Sequence, residues 1–102
     1  MNNLKKFELM EKIVRQLQDI QHSQQAIIEK VGKVEIDNFD LNDSSLTKVL
    51  ADIHQRTADN FDSINTLLDG FSEKTESFGE KNNVDKLRQQ QDINDAMNNS
   101  KS

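Results

Sequence analysis

Cysteine, proline, tryptophan and tyrosine are all absent from these 102 residues, and glycine occurs three times. Without cysteine there is no disulfide framework, no thiolate nucleophile and no thiolate zinc site. Without proline, whose ring removes a backbone donor and clashes with the preceding turn, every helix is free to run long. Apolar residues are also scarce, 33% of the chain, while charged residues reach 30%, against an apolar share of ~45–50% in ordinary domains. A chain of this size buries only about 60–70% of its unfolded surface. The core is therefore thin, and an elongated helical array suits the composition better than a compact globule. No unbroken apolar stretch follows Lys5 and Lys6, which argues against a cleavable signal peptide and against membrane insertion. The formal charge of -5 comes without the clustered Lys and Arg that a phosphate backbone requires, so direct nucleic-acid binding is not expected.

What is present is a helical repeat. From about Asn3 to Lys33 the sequence fits heptads with a positions at Phe7, Val14, Gln21 and Ile28, and d positions at Met10, Leu17, Gln24 and Val31. The g positions are also apolar, at Ile13, Ile20, Ile27 and Val34. A stripe that wide exceeds the two-position seam of a simple coiled coil and asks for two neighbours rather than one. Glu8 with Lys12, Glu11 with Arg15 and Glu29 with Lys33 stand at the favourable i, i+4 spacing, each pair contributing roughly 0.2–0.5 kcal/mol. The glutamines at consecutive a and d positions, Gln21 and Gln24, have two readings: a stretch that faces solvent, or a polar layer that sets pairing.

Residues 34–42 read as a connector in which Ile36, Phe39 and Leu41 fold over the end of the bundle. Asn42 is expected to cap the next helix, with Asp43 favouring its positive end and Leu41 packing on Leu46 as a hydrophobic staple. The second helix, about 43–78, carries Leu46, Leu50, Ile53, Thr57, Phe61, Ile64, Leu68, Phe71 and Phe78. An extra four-residue step near Thr57 reads as a stutter that locally unwinds a supercoil. The seam is expected to continue through Gly70, a break there being the alternative, and Gly79 offers a stop. Residues 80–102 are polar, with only Val84, Leu87, Ile93 and Met97 as apolar side chains. Four such residues do not offset the ordering entropy of a helix standing alone, so a weakly helical or disordered tail is expected.

No constellation carries chemistry. His22 and His54 lie far apart and lack ligand spacing, so both read as solvated and no metal or cofactor is expected. Asp37, Asp40 and Asp43 superficially resemble a calcium loop, but the central glycine and closing glutamate are missing. Capping and turn formation explain them more simply. The chain is not expected to be an enzyme, because no hydroxyl has a positioned base and no paired carboxylates mark a site.

The expected fold is all-α: an elongated antiparallel helical hairpin or coiled coil over residues 1–79, followed by the polar tail. Two such helices cannot bury the wide stripe, so self-association as a dimer or tetramer, or docking of another helical protein, should complete it. Ile13, Ile20 and Ile27 are the candidate partner-binding residues on the first helix. Phe71 and Phe78 join them on the second, since a hairpin closed at residues 35–42 leaves Phe78 past the end of its neighbour. The functional expectation is a small helical adaptor, assembly factor or secretion-accessory subunit acting through apolar helix faces. Its rival is an acidic inhibitor from a mobile element that binds a basic nucleic-acid-binding protein. Length and layout are similar to those of the Trp-x-Gly proteins of type VII secretion and their accessory partners. The connector, however, carries Asn38-Phe39-Asp40 without tryptophan, and no terminal Tyr-xxx-Asp/Glu signal is present, so the likeness is one of architecture alone. Composition leaves the compartment open: a cytoplasmic location is the first expectation, and export by a route needing no cleavable signal is the alternative.

Overall fold

The structure, a computed structural model, describes residues 1–100 as three helices: α1 over Asn3–Leu41, α2 over Ser44–Lys81 and α3 over Val84–Ser100. Asn2 begins α1 by accepting the Lys5 N–H on its side chain at 2.8 Å, which satisfies one of the donors a helix start leaves unpaired. The chain gathers into two compact units, one of residues 1–14 with 70–102 and the other of residues 15–69. The third helix belongs to the same unit as the first turns of α1.

Within the unit of residues 15–69, α1 and α2 run antiparallel and are joined by two residues. The expected connector 34–42 does not exist as such, because α1 continues through it to Leu41. No glycine or proline stands between Lys33 and Asn42 to stop it, and the alternation of apolar residues there is also compatible with helix. Ile36, Phe39 and Leu41 consequently project from helix into solvent, 71%, 86% and 69% exposed, instead of folding over the end.

The turn itself also corrects the expected capping. Asn42 adopts φ 56°, the left-handed conformation that closes a helix, and its N–H bonds the Asn38 carbonyl at 2.6 Å. The cap of α2 is Asp43, whose Oδ1 accepts from the Leu46 N–H at 2.9 Å and the Ser45 hydroxyl at 2.7 Å. Those bonds, the Ser45 hydroxyl first and the Leu46 N–H second, hold the Asp43 carboxyl below its usual range. With the cap moved by one residue, the position for an apolar staple falls on Asn42, and Leu41 is left in water. Asn38 binds the whole turn together. Its amide is 6% exposed; Oδ1 accepts from the Asp43 N–H at 3.1 Å, while Nδ2 donates to the Thr47 hydroxyl at 2.9 Å and the Asp43 carbonyl at 3.3 Å.

The seam of this unit is only partly apolar. On α2 the inward side chains are Leu50, His54, Thr57, Phe61, Ile64 and Leu68, an unbroken heptad alternation of four and three. The expected stutter vanishes because His54, not Ile53, occupies the inner position. His54 Nδ1 meets Glu35 Oε1 at 2.6 Å across the helices, and Gln21 donates to Asn65 at 2.5 Å. His54 keeps 45% of its side chain exposed while meeting Glu35, so it is solvated and partnered at once, and His22 is exposed. Gln21 is a polar layer rather than a solvent-facing residue. The buried Thr57 hydroxyl is satisfied by the Ile53 carbonyl at 2.7 Å, so the layer leaves no stranded donor.

In the other unit, α2 runs through Gly70 and Gly79 to Lys81, and Asn83 at φ 50° turns the chain into α3. Gly79 is a close-approach residue and not a stop. A Cβ there would lie 2.8 Å from Phe7 Cε2 and 3.3 Å from Val84 Cγ2. The missing side chain makes room for Phe7, and Val84 is the best-buried apolar residue described, at 4% exposure. Arg88 of α3 pairs with Glu11 at 3.0 Å and lies 5.7 Å from the Phe7 ring centre. These contacts anchor the first turns of α3, from Val84 to Arg88, against α1 and α2.

Candidate interaction surface

The three cross-helix bonds Asn38–Thr47, Glu35–His54 and Gln21–Asn65 fix the register of the hairpin. Level with one another, to within about a residue, stand Leu41 and Leu46, Val34 and Ile53, Ile27 and Asn60, and Ile20 and Leu67. Each of these residues directly precedes a seam residue of its own helix, such as Gln21, Ile28 and Glu35 on α1 or Thr47, His54 and Phe61 on α2. In an antiparallel pair such positions fall on the same side. They form an apolar ladder of two rows, interrupted once by Asn60, with Val49 beside it.

All seven apolar members and Val49 remain substantially exposed. Over the 22 residues from Ile20 to Leu41 the ladder extends roughly 30 Å at ~1.5 Å per residue. From their exposures, these eight side chains leave about 700 Å² open to water, above the ~300–600 Å² of the largest patch on a typical monomer. The opposite side of the hairpin is small and polar, with Gln25, Gly32, Ala51, Ala58 and Asn65. There the large apolar residues are Ile36 and Phe39 near the turn.

The charge of the unit is arranged around the ladder. Residues 15–69 hold five Lys and Arg against ten Asp and Glu, so the whole formal excess of -5 resides in this unit. Asp19, Glu29, Asp40, Asp52, Asp59, Asp62 and Asp69 occupy outward helical positions away from the rungs. Arg56 on the ladder's rim is bonded through Nε to Asp52 at 3.0 Å, which holds its guanidinium more firmly protonated. The immediate rim comprises Gln16, Ser23, Lys30 and Asp37 along α1, and Val49, Arg56 and Ser63 along α2.

Of the residues expected from sequence to bind a partner, Ile20 and Ile27 lie on the ladder, half-exposed. Ile13, Phe71 and Phe78 belong to the other unit and are partly buried there. Phe78 does not overhang: with the hairpin closed at Asn42, Lys6 reaches it, its Nζ 5.2 Å from the ring centre. Val34, Leu41, Leu46, Val49, Ile53 and Leu67 were not singled out by sequence. Val34 and Leu41 continue the seven-residue row of α1, and reading the α2 seam through His54 would have revealed Leu46, Ile53 and Leu67 as a second row.

A cleft of about 550 Å³ lies beside the turn, lined by Glu35, Asn38, Phe39, Asn42, Thr47 and Leu50. Its polar groups are already engaged in the turn network and in the Glu35–His54 contact. Among the described residues, no group of three or more His, Cys, Asp or Glu is placed to hold a metal ion. Among them too, no helix is long and apolar enough to cross a membrane. No family model matches this chain, and no curated protein or solved structure matches it either.

Proposed function

We propose that the chain is a helical docking module whose working surface is the two-row ladder of residues 20–67. The observation that carries this reading is an apolar strip left open on an otherwise highly charged chain. Exposed apolar surface of that extent is costly in water, and covering it with apolar surface recovers about 25 cal/mol per Å². The module would act as an adaptor, assembly or accessory subunit, without turnover, by lending two helices to a bundle that others complete.

The acidic-inhibitor reading has less to stand on. Of its connector acids, Asp43 is committed to capping α2, and the remaining acids are spread over outward positions. Neutralising Asp37 and Asp40 together should leave a ladder-dependent partner bound and release a partner held by charge.

The deciding experiment places a photo-cross-linking residue at Val34, on the ladder, or at Lys33, on the outer face, in cells that make the protein. Capture of a protein at position 34 and none at 33 is expected. Equal capture at both positions, or none at 34, would refute the docking reading.

A further inference from the structure

Resting on that docking reading, we infer that the ladder's occupant is a second copy of this chain, packed ladder on ladder with a twofold axis through the layer of Ile27 and Asn60. About this axis the second copy's ladder covers the stretch from Ile20 to Val34 on α1 and from Ile53 to Leu67 on α2, and Leu41 and Leu46 reach beyond it. A second hairpin also presents its two rows at the same separation as the first, so row meets row without adjustment.

Asn60 chooses where the axis lies. It is the polar member among the eight positions of the four rungs, and burial against an aliphatic row would strand its amide. An axis at its own level lets the two Asn60 amides bond each other, the way a single buried asparagine sets register in helical assemblies. The same axis sets Ile27 against Ile27, Ile20 against the second copy's Val34, and Ile53 against the second copy's Leu67.

The rims agree with this choice. About that axis Lys30 faces Ser23 of the second copy, Arg56 faces Ser63, and Asp37 faces Gln16, so no like charges meet. Shifting the axis half a heptad brings Lys30 against Lys30 and Arg56 against Arg56. Turning the second hairpin so that both turns lie at one end brings Lys30 against Arg56. Like-charge contacts of that kind oppose both alternatives. Seven of the unit's ten acids, Asp19, Glu29, Asp40, Asp52, Asp59, Asp62 and Asp69, occupy outward positions, which keeps most of the negative charge in water.

The test is solution mass by light scattering across a concentration series, with helicity recorded in parallel. The expected result is a helical dimer for the unaltered chain, a helical monomer for the double variant Ile27→Glu, Ile53→Glu, and a dimer for Ile36→Glu, which lies off the ladder. Because the double variant could lose its fold, a second measurement uses the absence of cysteine. Asn60→Cys should join two chains on oxidation or with a short bismaleimide, and Asp59→Cys, on the outer face, should not. A monomer at every concentration, a tetramer, or equal coupling at positions 59 and 60 would overturn the inference. Cellular capture at Val34 with a monomeric purified chain would leave the docking reading intact and assign the ladder to another protein.

Discussion

Replacing Asn38 should open the hairpin turn more than any other single polar change. Its buried amide makes three bonds, to the Asp43 N–H, the Asp43 carbonyl and the Thr47 hydroxyl. At roughly 0.5–1.5 kcal/mol net for each bond, the three together cap the loss near 4 kcal/mol. Asp43 and Thr47 are exposed residues, so water replaces part of what Asn38→Ala removes, and about 2–3 kcal/mol is the expected loss. In a chain of this length that lowers the thermal midpoint by roughly 10–20 °C. Asn38→Asp sharpens the test, because it keeps the acceptor facing the Asp43 N–H but sets a second oxygen against two acceptors. Its carboxyl should be pushed up by burial and by those oxygens. A folded-state pKa raised above the unfolded ~3.9 leaves stability intact below that value and removes it as pH rises through the folded pKa. Asn38→Asp should therefore approach the unaltered chain near pH 3 and fall below Asn38→Ala at pH 7. Urea unfolding followed by circular dichroism at one fixed protein concentration reads both. A loss under about 0.5 kcal/mol for Asn38→Ala, or an Asn38→Asp deficit that does not change with pH, would refute the reasoning.

Other perturbations bear on the remaining elements. Gly70→Ala should stabilise by about 0.5–1 kcal/mol through helix propensity, since nothing lies within 4 Å of the added Cβ; Gly79→Ala should lose that gain because Phe7 must move, and equal unfolding midpoints for the two would contradict the packing. Asn42→Gly should raise stability by up to about 1 kcal/mol and Asn42→Val should lower it by about 1–2 kcal/mol, as expected for a left-handed residue; thermal melts showing the reverse order would count against the turn geometry. The lowered pKa of Asp43 means its capping contribution is complete above the unfolded value near 3.8 and is lost as pH falls through the folded one. Asp43→Asn should thus flatten part of the acid limb of stability, and an unchanged limb between pH 2 and 4 would exclude that assignment. Arg88→Ala should speed hydrogen exchange across α3 by several-fold, in keeping with loss of one half-exposed ion pair and a ring contact worth together about 1 kcal/mol. Unchanged exchange would mean that Val84 alone anchors the helix.

The helical class, the start of α1 and the run of α2 through Gly70 follow from periodicity and the absence of proline. The inner face of α2 does not, because hydrophobicity singles out Ile53 where the structure uses His54. At the seam His54 meets Glu35 across from it, and that pairing is a property of two helices, not of one. The same holds at the turn: Asn38 reads as one more residue of a connector over 34–42, but its amide is a tertiary clamp. Gly79 reads as punctuation until Phe7 is placed against it. Half of the ladder, the α1 row, was legible because its seven-residue repeat lies within one segment. Its other half became visible only when polar residues took the inner positions and displaced Leu46 and Ile53 outward.

The division of the chain also has a consequence for the order of assembly during synthesis. Residues 15–69 are contiguous, so the antiparallel pair can close across a two-residue turn as soon as its second arm leaves the ribosome. The other unit joins residues 1–14 to residues 70–102 and must wait for Val84 before Phe7 has its full pocket. At the usual ~5–20 residues per second, Phe7 and Met10 stay uncovered for several seconds of translation. Residues 7 and 10 are made before the hairpin and settle after it, and a chain carrying nothing beyond residue 69 would hold a finished hairpin beside Phe7 and Met10 still open to chaperones.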